Sequence, residues 1–261
     1  MTKGRPIQIE ACVTSLAAAR VAARAGVDRL ELTTGLPLGG LTPSLGLVRA
    51  VNDAPDVSVP AIALIRPREG GFRYHADEIR VAEADLEAFE AEGTAVAGYA
   101  VGALDDAGDL DLATLRRWRE IAPEKEWCLH RAFDHVRDPL AALEQAIDLG
   151  FDRILTSGLA ASAPEGSEQI AALVLAARDR IEIMPGGGVS ATSALPLLEG
   201  TGVRSLHLSG TAWAEPAGPV RSGIALGAGA APDEVRHLEV REERIAALVR
   251  AVRAEAPPTT D

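Results

Sequence analysis

Apolar and polar positions alternate in eight short stretches, each followed by a longer stretch with a helical repeat. The alternating stretches cover 6–13, 28–33, 58–66, 95–103, 126–131, 152–157, 181–185 and 203–209. A period of two predicts strands. The stretches at 14–26, 43–53, 76–92, 111–121, 137–149, 164–178, 190–200 and 239–254 place apolar residues every three or four positions, which predicts amphipathic helices. Chain chemistry agrees at their ends. Thr14 or Ser15 can cap the first helix and Gly26 can stop it, while Asp111 and Ser190 stand at later starts. Pro139 and Pro164 fall in predicted first turns, where a missing N–H costs little.

Eight such units in 261 residues predict a single (β/α)8 TIM barrel over 1–256. A doubly wound parallel sheet is the rival, and it is weakened because no G-x-G-x-x-G follows the first strand. The Gly-, Ala- and Pro-rich stretch 214–236 reads as a long loop inside the last unit, and 257–261 as a frayed tail.

Strand parity then sorts the chemistry. In the first strand Ile7, Ile9, Ala11 and Val13 share one face, while Gln8, Glu10 and Cys12 share the other. The second strand adds Arg29, Glu31 and Thr33 to the polar face. Arg66 closes the third, His130 the fifth and Thr156 the sixth. Glu182 and Met184 come from the seventh, and Ser205, His207 and Ser209 from the eighth. A barrel interior is normally layered with Val, Ile and Leu, so this polar set must pair internally or bind something. One reading is an ion-pair network of Glu10 and Glu31 with Arg29 and Arg66. The other is a site, because active sites in this fold lie at the C-terminal ends of the strands.

The loops favour a site. Met184-Pro185-Gly186-Gly187-Gly188-Val189-Ser190 follows the seventh strand and Leu208-Ser209-Gly210-Thr211 the eighth, the usual anion cradle of the fold. Gly187, Gly188 and Ser209 are therefore candidate anion contacts, joined by Arg29, Arg66, Arg68 and Arg131. His130 with Asp134 reads as an acid–base pair, although Asp134 could instead cap the next helix. Glu10, Glu31, His130 and His207 are the candidate acid–base groups, and Asp134 and Thr156 join the candidate binding residues.

Composition narrows the choice. A hydrophobic content of 47% supports a large core, and a net charge of −12 argues against nucleic acid or an anionic membrane as partner. No apolar run approaches 18 residues and no signal-type segment opens the chain. Cys12 and Cys128 make no disulfide framework, so a reduced, cytoplasmic protein is expected. Lys3 and Lys125 are the only lysines, and neither stands at a strand C-terminus, which removes Schiff-base chemistry. No G-x-S-x-G supports a serine nucleophile.

Several strings in order resemble the CutC copper-homeostasis family. They are Ile9-Glu10-Ala11-Cys12, Asp28-Arg29-Leu30-Glu31-Leu32, Gly39-Gly40-Leu41-Thr42-Pro43-Ser44, Ile65-Arg66-Pro67-Arg68, His130-Arg131-Ala132-Phe133-Asp134, Arg153-Ile154-Leu155-Thr156-Ser157-Gly158, Met184-Pro185-Gly186-Gly187-Gly188-Val189 and His207-Leu208-Ser209. The resemblance implies a cytoplasmic TIM barrel, a homodimer, and Cu(I) held by cysteines, one of them matched by Cys12. The place of the second holds Thr33, and a hydroxyl is a poor ligand for soft Cu(I). Three functions are thus expected to compete. The first is a Cu(I)-binding copper-homeostasis protein. The second is an isomerase, epimerase or hydrolase for a small phosphorylated or anionic metabolite. The third is a non-catalytic interaction barrel.

Overall fold

A computed structural model describes residues 6–91, 94–215 and 236–254. Eight parallel strands carry the fold: β1 (Gln8–Val13), β2 (Arg29–Leu32), β3 (Ala61–Leu64), β4 (Gly98–Val101), β5 (Glu126–Leu129), β6 (Arg153–Thr156), β7 (Glu182–Pro185) and β8 (Ser205–Leu208). They pair in the order β7-β6-β5-β4-β3-β2-β1-β8. The two end strands, β7 and β8, lie against each other, so the sheet curls into a nearly closed TIM barrel. Helices α1 (Leu16–Ala25), α2 (Leu45–Asn52), α3 (Ala76–Ala91), α4 (Leu112–Ile121), α5 (Pro139–Asp148), α6 (Ser167–Ala177), α7 (Ala191–Thr201) and α8 (Glu242–Ala254) follow the strands.

The caps read from the sequence largely hold. The Ser15 hydroxyl accepts from Ala18 N–H, Asp111 from Thr114 N–H, and Ser190 heads a capping box with Ser193. Gly26 stops α1 at φ 88°, a conformation that favours glycine. Pro139 opens α5 as expected, but Pro164 precedes α6 by a turn, and Gly166 takes the N-cap. The last unit departs most. Thr211–Ala214 (β9) and His237–Val240 (β10) form an antiparallel ribbon, so α8 begins at Glu242 rather than 239. Most of the predicted loop, 216–235, and the predicted tail, 257–261, lie outside the described residues. No described helix is long and apolar enough to cross a membrane.

Strand parity divides two cores. Ile9, Ala11, Leu30, Leu32, Trp127, Leu129, Leu206 and Leu208 face the helices, in the large outer core. Ile62, Leu64, Ala100, Cys128, Leu155 and Met184 form a small apolar plug inside the barrel. The plug draws on β3 to β7 only. On the β8-β1-β2 side its place is taken by Glu10, Cys12, Arg29, Glu31 and His207. At the strand N-termini Arg153 ties to Glu126 at 2.5 Å and stands 3.8 Å from Glu182. Arg153 shares parity with Leu155 of the plug, so strand alternation alone turns its charge inward.

Close approach of β4 and β5 explains one glycine. A Cβ on Gly98 would sit 2.1 Å from the Glu126 carbonyl oxygen, which is backbone and cannot swing away. Gly98→Ala is expected to lower stability by about 1–3 kcal/mol through overpacking. Denaturant unfolding measures this, and an unchanged midpoint would contradict the close strand contact.

Candidate functional site

Strand register brings the polar wall together. β1 pairs with β2 so that Glu10 stands opposite Arg29 and Cys12 opposite Glu31. β1 pairs with β8 so that Glu10 also stands opposite His207. Glu10 is thus flanked on both sides. One carboxylate oxygen accepts a very short hydrogen bond from Arg29 Nε, and the other lies 2.8 Å from His207 Nδ1. Arg29 Nη2 reaches Met184 Sδ at 3.6 Å and stands 3.9 Å from Glu182. The second ring nitrogen, His207 Nε2, is 3.8 Å from Glu31 Oε2. Cys12 Sγ completes the group: single ligand atoms of Cys12, Glu31 and His207 all lie within 4.8 Å of one another.

These groups are nearly dehydrated, with Cys12 3%, Glu31 5% and Glu10 2% exposed, and the His207 side chain 12%. Burial alone would raise the pKa of Glu10. The His207 hydrogen bond and the Arg29 charge outweigh it and hold Glu10 at about 2. Glu31 is pushed up, by burial first and by the Glu10 charge, against the pull of His207. Burial lowers His207, but the Glu31 charge and the Glu10 hydrogen bond reverse the direction and raise it. Cys12 is raised well above the usual thiol range by burial and by Glu31. Two carboxylates are therefore driven in opposite directions on the two sides of one imidazole, the pattern from which acid and base roles arise. Because Glu10 is an ionised acceptor, His207 carries its proton on Nδ1.

Cys12, Glu31 and His207 form the floor of a cavity of about 610 Å³ at the C-terminal end of the barrel. Leu64 and Leu155 of the plug, Leu36, Gly39, Arg66 and Phe72 line it as well. Gly187, Gly188, Ser190 and Ser209 lie on its β7–β8 side, and Glu243, Arg244 and Ala247 extend it onto α8. Gly187 and Gly188 adopt φ of 91° and 77°, so the loop shape depends on glycine. Arg131 lines the cavity too. Its Nε donates to Asp134 at 2.7 Å and its Nη2 to Ser157 at 2.8 Å, and a Cβ on Gly187 would lie 3.3 Å from its Nη1. The Ser209 hydroxyl pairs with Thr211 at 3.1 Å.

Four sequence expectations need correction. Arg66 lines the cavity but does not join Glu10 and Glu31. Its Nη1 donates to the carbonyls of Leu38 and Gly40, and its Nη2 to that of Gly70, so it ties two loops together. Arg68 stands outside the lining, bound to Glu78 and to the carbonyls of Glu69, Gly71 and Arg73. Asp134 neither pairs with His130 nor caps α5, whose cap is Asp138. Its carboxylate accepts from Thr156, from the Ser157 N–H and hydroxyl, and from Arg131. Thr156 faces away from the barrel axis, because it shares parity with Ile154 of the outer core.

His130 does reach the cavity, in a different state from the one expected of an acid–base group. Its Nδ1 accepts from Ala132 N–H at 3.1 Å, and Nε2 is buried without a hydrogen-bond partner. Burial and the Arg66 charge lower its pKa to about 3, so the ring is neutral with its proton on Nε2. Thr33, where the resemblance led us to expect a second cysteine, is fully buried and donates to the Leu41 carbonyl at 2.8 Å. Among the cavity-lining residues Cys12 is the one thiol, since Cys128 belongs to the plug.

The family model described as CutC family matches residues 7–212. The chain belongs to the CutC family. A CutC family protein of Vibrio vulnificus (strain YJ016) is 44% identical over 205 residues, covering 78% of this chain and 80% of the relative. The human copper homeostasis protein cutC homolog is 40% identical over 221 residues, with 84% and 80% coverage. A solved CutC structure from Streptococcus agalactiae superposes with a TM-score of 0.72 at 31% identity, covering 77% of this chain and 97% of that one. At 13% identity, thiamine phosphate pyrophosphorylase from Pyrococcus furiosus (TM-score 0.56, 95% and 96% coverage) shares the fold alone. The CutC match takes in every floor residue, Cys12, Glu31 and His207, together with Glu10 and Arg29 behind them. The α8 wall of the cavity lies beyond it, with Glu243 and Arg244.

The neutral His130 makes a pH prediction for this CutC chain. Its folded pKa of about 3 lies below the usual 6.5, so the unfolded chain takes up this proton first on acidification. The stability involved is fully present above pH 6.5 and is lost as pH falls toward 3. Glu10 adds its own loss only below its usual 4.5. His130→Gln should therefore flatten the slope of stability against pH between 6.5 and 4.5. Urea unfolding across that window measures it, and identical slopes would refute a buried neutral ring.

Proposed function

We propose that this CutC-family barrel binds and transforms a small anionic metabolite, of the sugar-phosphate class, in the cavity at the strand C-termini. The observation that carries the reading is the floor, where a thiol, a carboxylate and an imidazole converge within 4.8 Å, buried, beneath an open cavity. A barrel that served only as an interaction scaffold has no use for so costly an arrangement, since dehydrating charged groups costs several kcal/mol per ion even where they are paired. The rim supports the substrate class. Arg131 beside the left-handed Gly187–Gly188 turn, with Ser190 and Ser209 nearby, offers an anion one guanidinium, backbone N–H groups and hydroxyls. A thermal-shift panel of sugar phosphates and inorganic phosphate tests it. A bound metabolite at a hundredfold excess over Kd should stabilise the fold by about 2.7 kcal/mol. That gain should shrink in Arg131→Ala. No stabilisation by any phosphorylated compound would sink the reading.

Copper handling is the second reading, favoured by the buried Cys12 thiol in the cavity and by the name of the human relative. Cu(I), as cargo, prefers two or more soft donors. The lining supplies one, and the Thr33 hydroxyl is engaged with the Leu41 carbonyl away from it. The residues therefore fit a two-thiolate Cu(I) site poorly. Competition against a Cu(I) chelator decides: binding that exceeds the Cys12→Ser variant by tenfold or more would favour copper over the metabolite.

A further inference from the structure

We propose that Cys12, Glu31 and His207 are the protein ligands of a borderline divalent cation of the zinc class, with Glu10 and Arg29 as its supporting shell. The inference rests on the metabolite reading of the same cavity and names the group at its floor, where Glu31 and His207 act as ligands rather than as free proton carriers.

Geometry supports it first. Ligand atoms of one tetrahedral zinc-class ion at 2.0–2.3 Å lie roughly 3.3–3.8 Å from each other. His207 Nε2 and Glu31 Oε2 are already 3.8 Å apart, and Cys12 Sγ is within 4.8 Å of both. The ligand chemistry comes second. One sulfur, one nitrogen and one oxygen donor make a mixed set that suits a borderline ion, whereas Cu(I) selects thiolates and thioethers, and Mg²⁺ or Ca²⁺ select oxygens.

The supporting shell is the observation that a chance cluster would lack. A metal-binding histidine normally donates its other ring N–H to a carboxylate, which fixes the tautomer and turns the free nitrogen to the metal. His207 does this: Nδ1 meets Glu10 at 2.8 Å, and Nε2 faces Glu31. Glu10 is in turn held by Arg29, and Arg29 by Glu10 and Met184. The imidazole is thus positioned by a chain of buried contacts that runs from β8 through β1 and β2 to Met184 on β7. Register explains why it assembles here. β8, β1 and β2 are neighbours, so His207, Glu10 with Cys12, and Glu31 with Arg29 occupy adjacent strands on one face. Three protein ligands leave a fourth position, and all three line the cavity, so that position opens to a small molecule. That is the arrangement of catalytic rather than structural zinc sites.

The test uses the full chain, stripped with a chelator and kept reduced without added thiols. Cobalt(II) is the spectroscopic probe and Zn²⁺ the competitor. The expected result is one equivalent of cobalt with an intense thiolate charge-transfer band, displaced by Zn²⁺. Cys12→Ser should lose that band, and Cys128→Ser should keep it. Glu10→Gln leaves all three ligand atoms in place and should weaken Zn²⁺ binding about 10–100-fold. His207→Gln should weaken it further, and near-ultraviolet circular dichroism of each apo variant establishes that it is folded. Absence of cobalt binding overturns the proposal, as does a band that survives Cys12→Ser or an affinity unmoved by both His207→Gln and Glu10→Gln. Cu(I) bound through Cys12 more tightly than Zn²⁺ overturns the choice of ion. If sugar phosphates stabilise the metal-free protein while cobalt does not bind, the metal inference fails and the metabolite reading stands. If cobalt binds and no phosphorylated compound stabilises either form, the reverse holds.

Discussion

The Glu10 carboxylate, shared between Arg29 and His207, is the interaction around which the barrel interior is organised. A carboxylate this deeply buried stays ionised when strong donors occupy its oxygens. Arg29 supplies one and His207 the other, from the two strands that flank β1. The pairing settles three matters together. It keeps Glu10 ionised, it sets the His207 tautomer, and it leaves Nε2 free beside Glu31. Remove Glu10, and the buried Arg29 keeps only the Met184 sulfur and the more distant Glu182 carboxylate, while His207 loses its Nδ1 partner.

The interior is consequently asymmetric. β3 to β7 fill their side with the apolar plug, and β8, β1 and β2 fill theirs with charge. The plug excludes water from the polar wall, which strengthens each electrostatic interaction there. The same dehydration raises Cys12 and Glu31, so each holds its proton more tightly than it would in water. The CutC family match over residues 7–212 spans the whole polar wall, and Cys12 is the one thiol among the residues that line the cavity.

Around the mouth, charged side chains serve the loops. Arg66 and Arg68 bind backbone carbonyls at 38–40 and 69–73, and Asp134 gathers the 156–159 turn. Their residue types were legible in the sequence as charge at strand C-termini. Their partners were not, because those partners are backbone groups that any residue can supply. Asp134 and Arg131 are three apart, and only the fold reveals that both turn toward Ser157 rather than toward His130 or α5. The place of Thr156 at a strand end suggests the axis, but the parity of Ile154 and Leu155 turns Thr156 outward and Arg153 inward.

Alternation and helical repeat alone determined eight units, their order, most of their caps, and which face of β1, β2, β5, β7 and β8 turns inward. These follow from local rules: the side-chain period of a strand is two, and the apolar face must be buried. Tertiary structure alone decided which inward residues meet. Glu10 and His207 lie 197 positions apart and become neighbours only because the barrel closes β8 onto β1. Such pairing depends on strand order, register and barrel closure, which no local pattern encodes. The polar wall was therefore visible as composition, and it became a site only when the sheet closed.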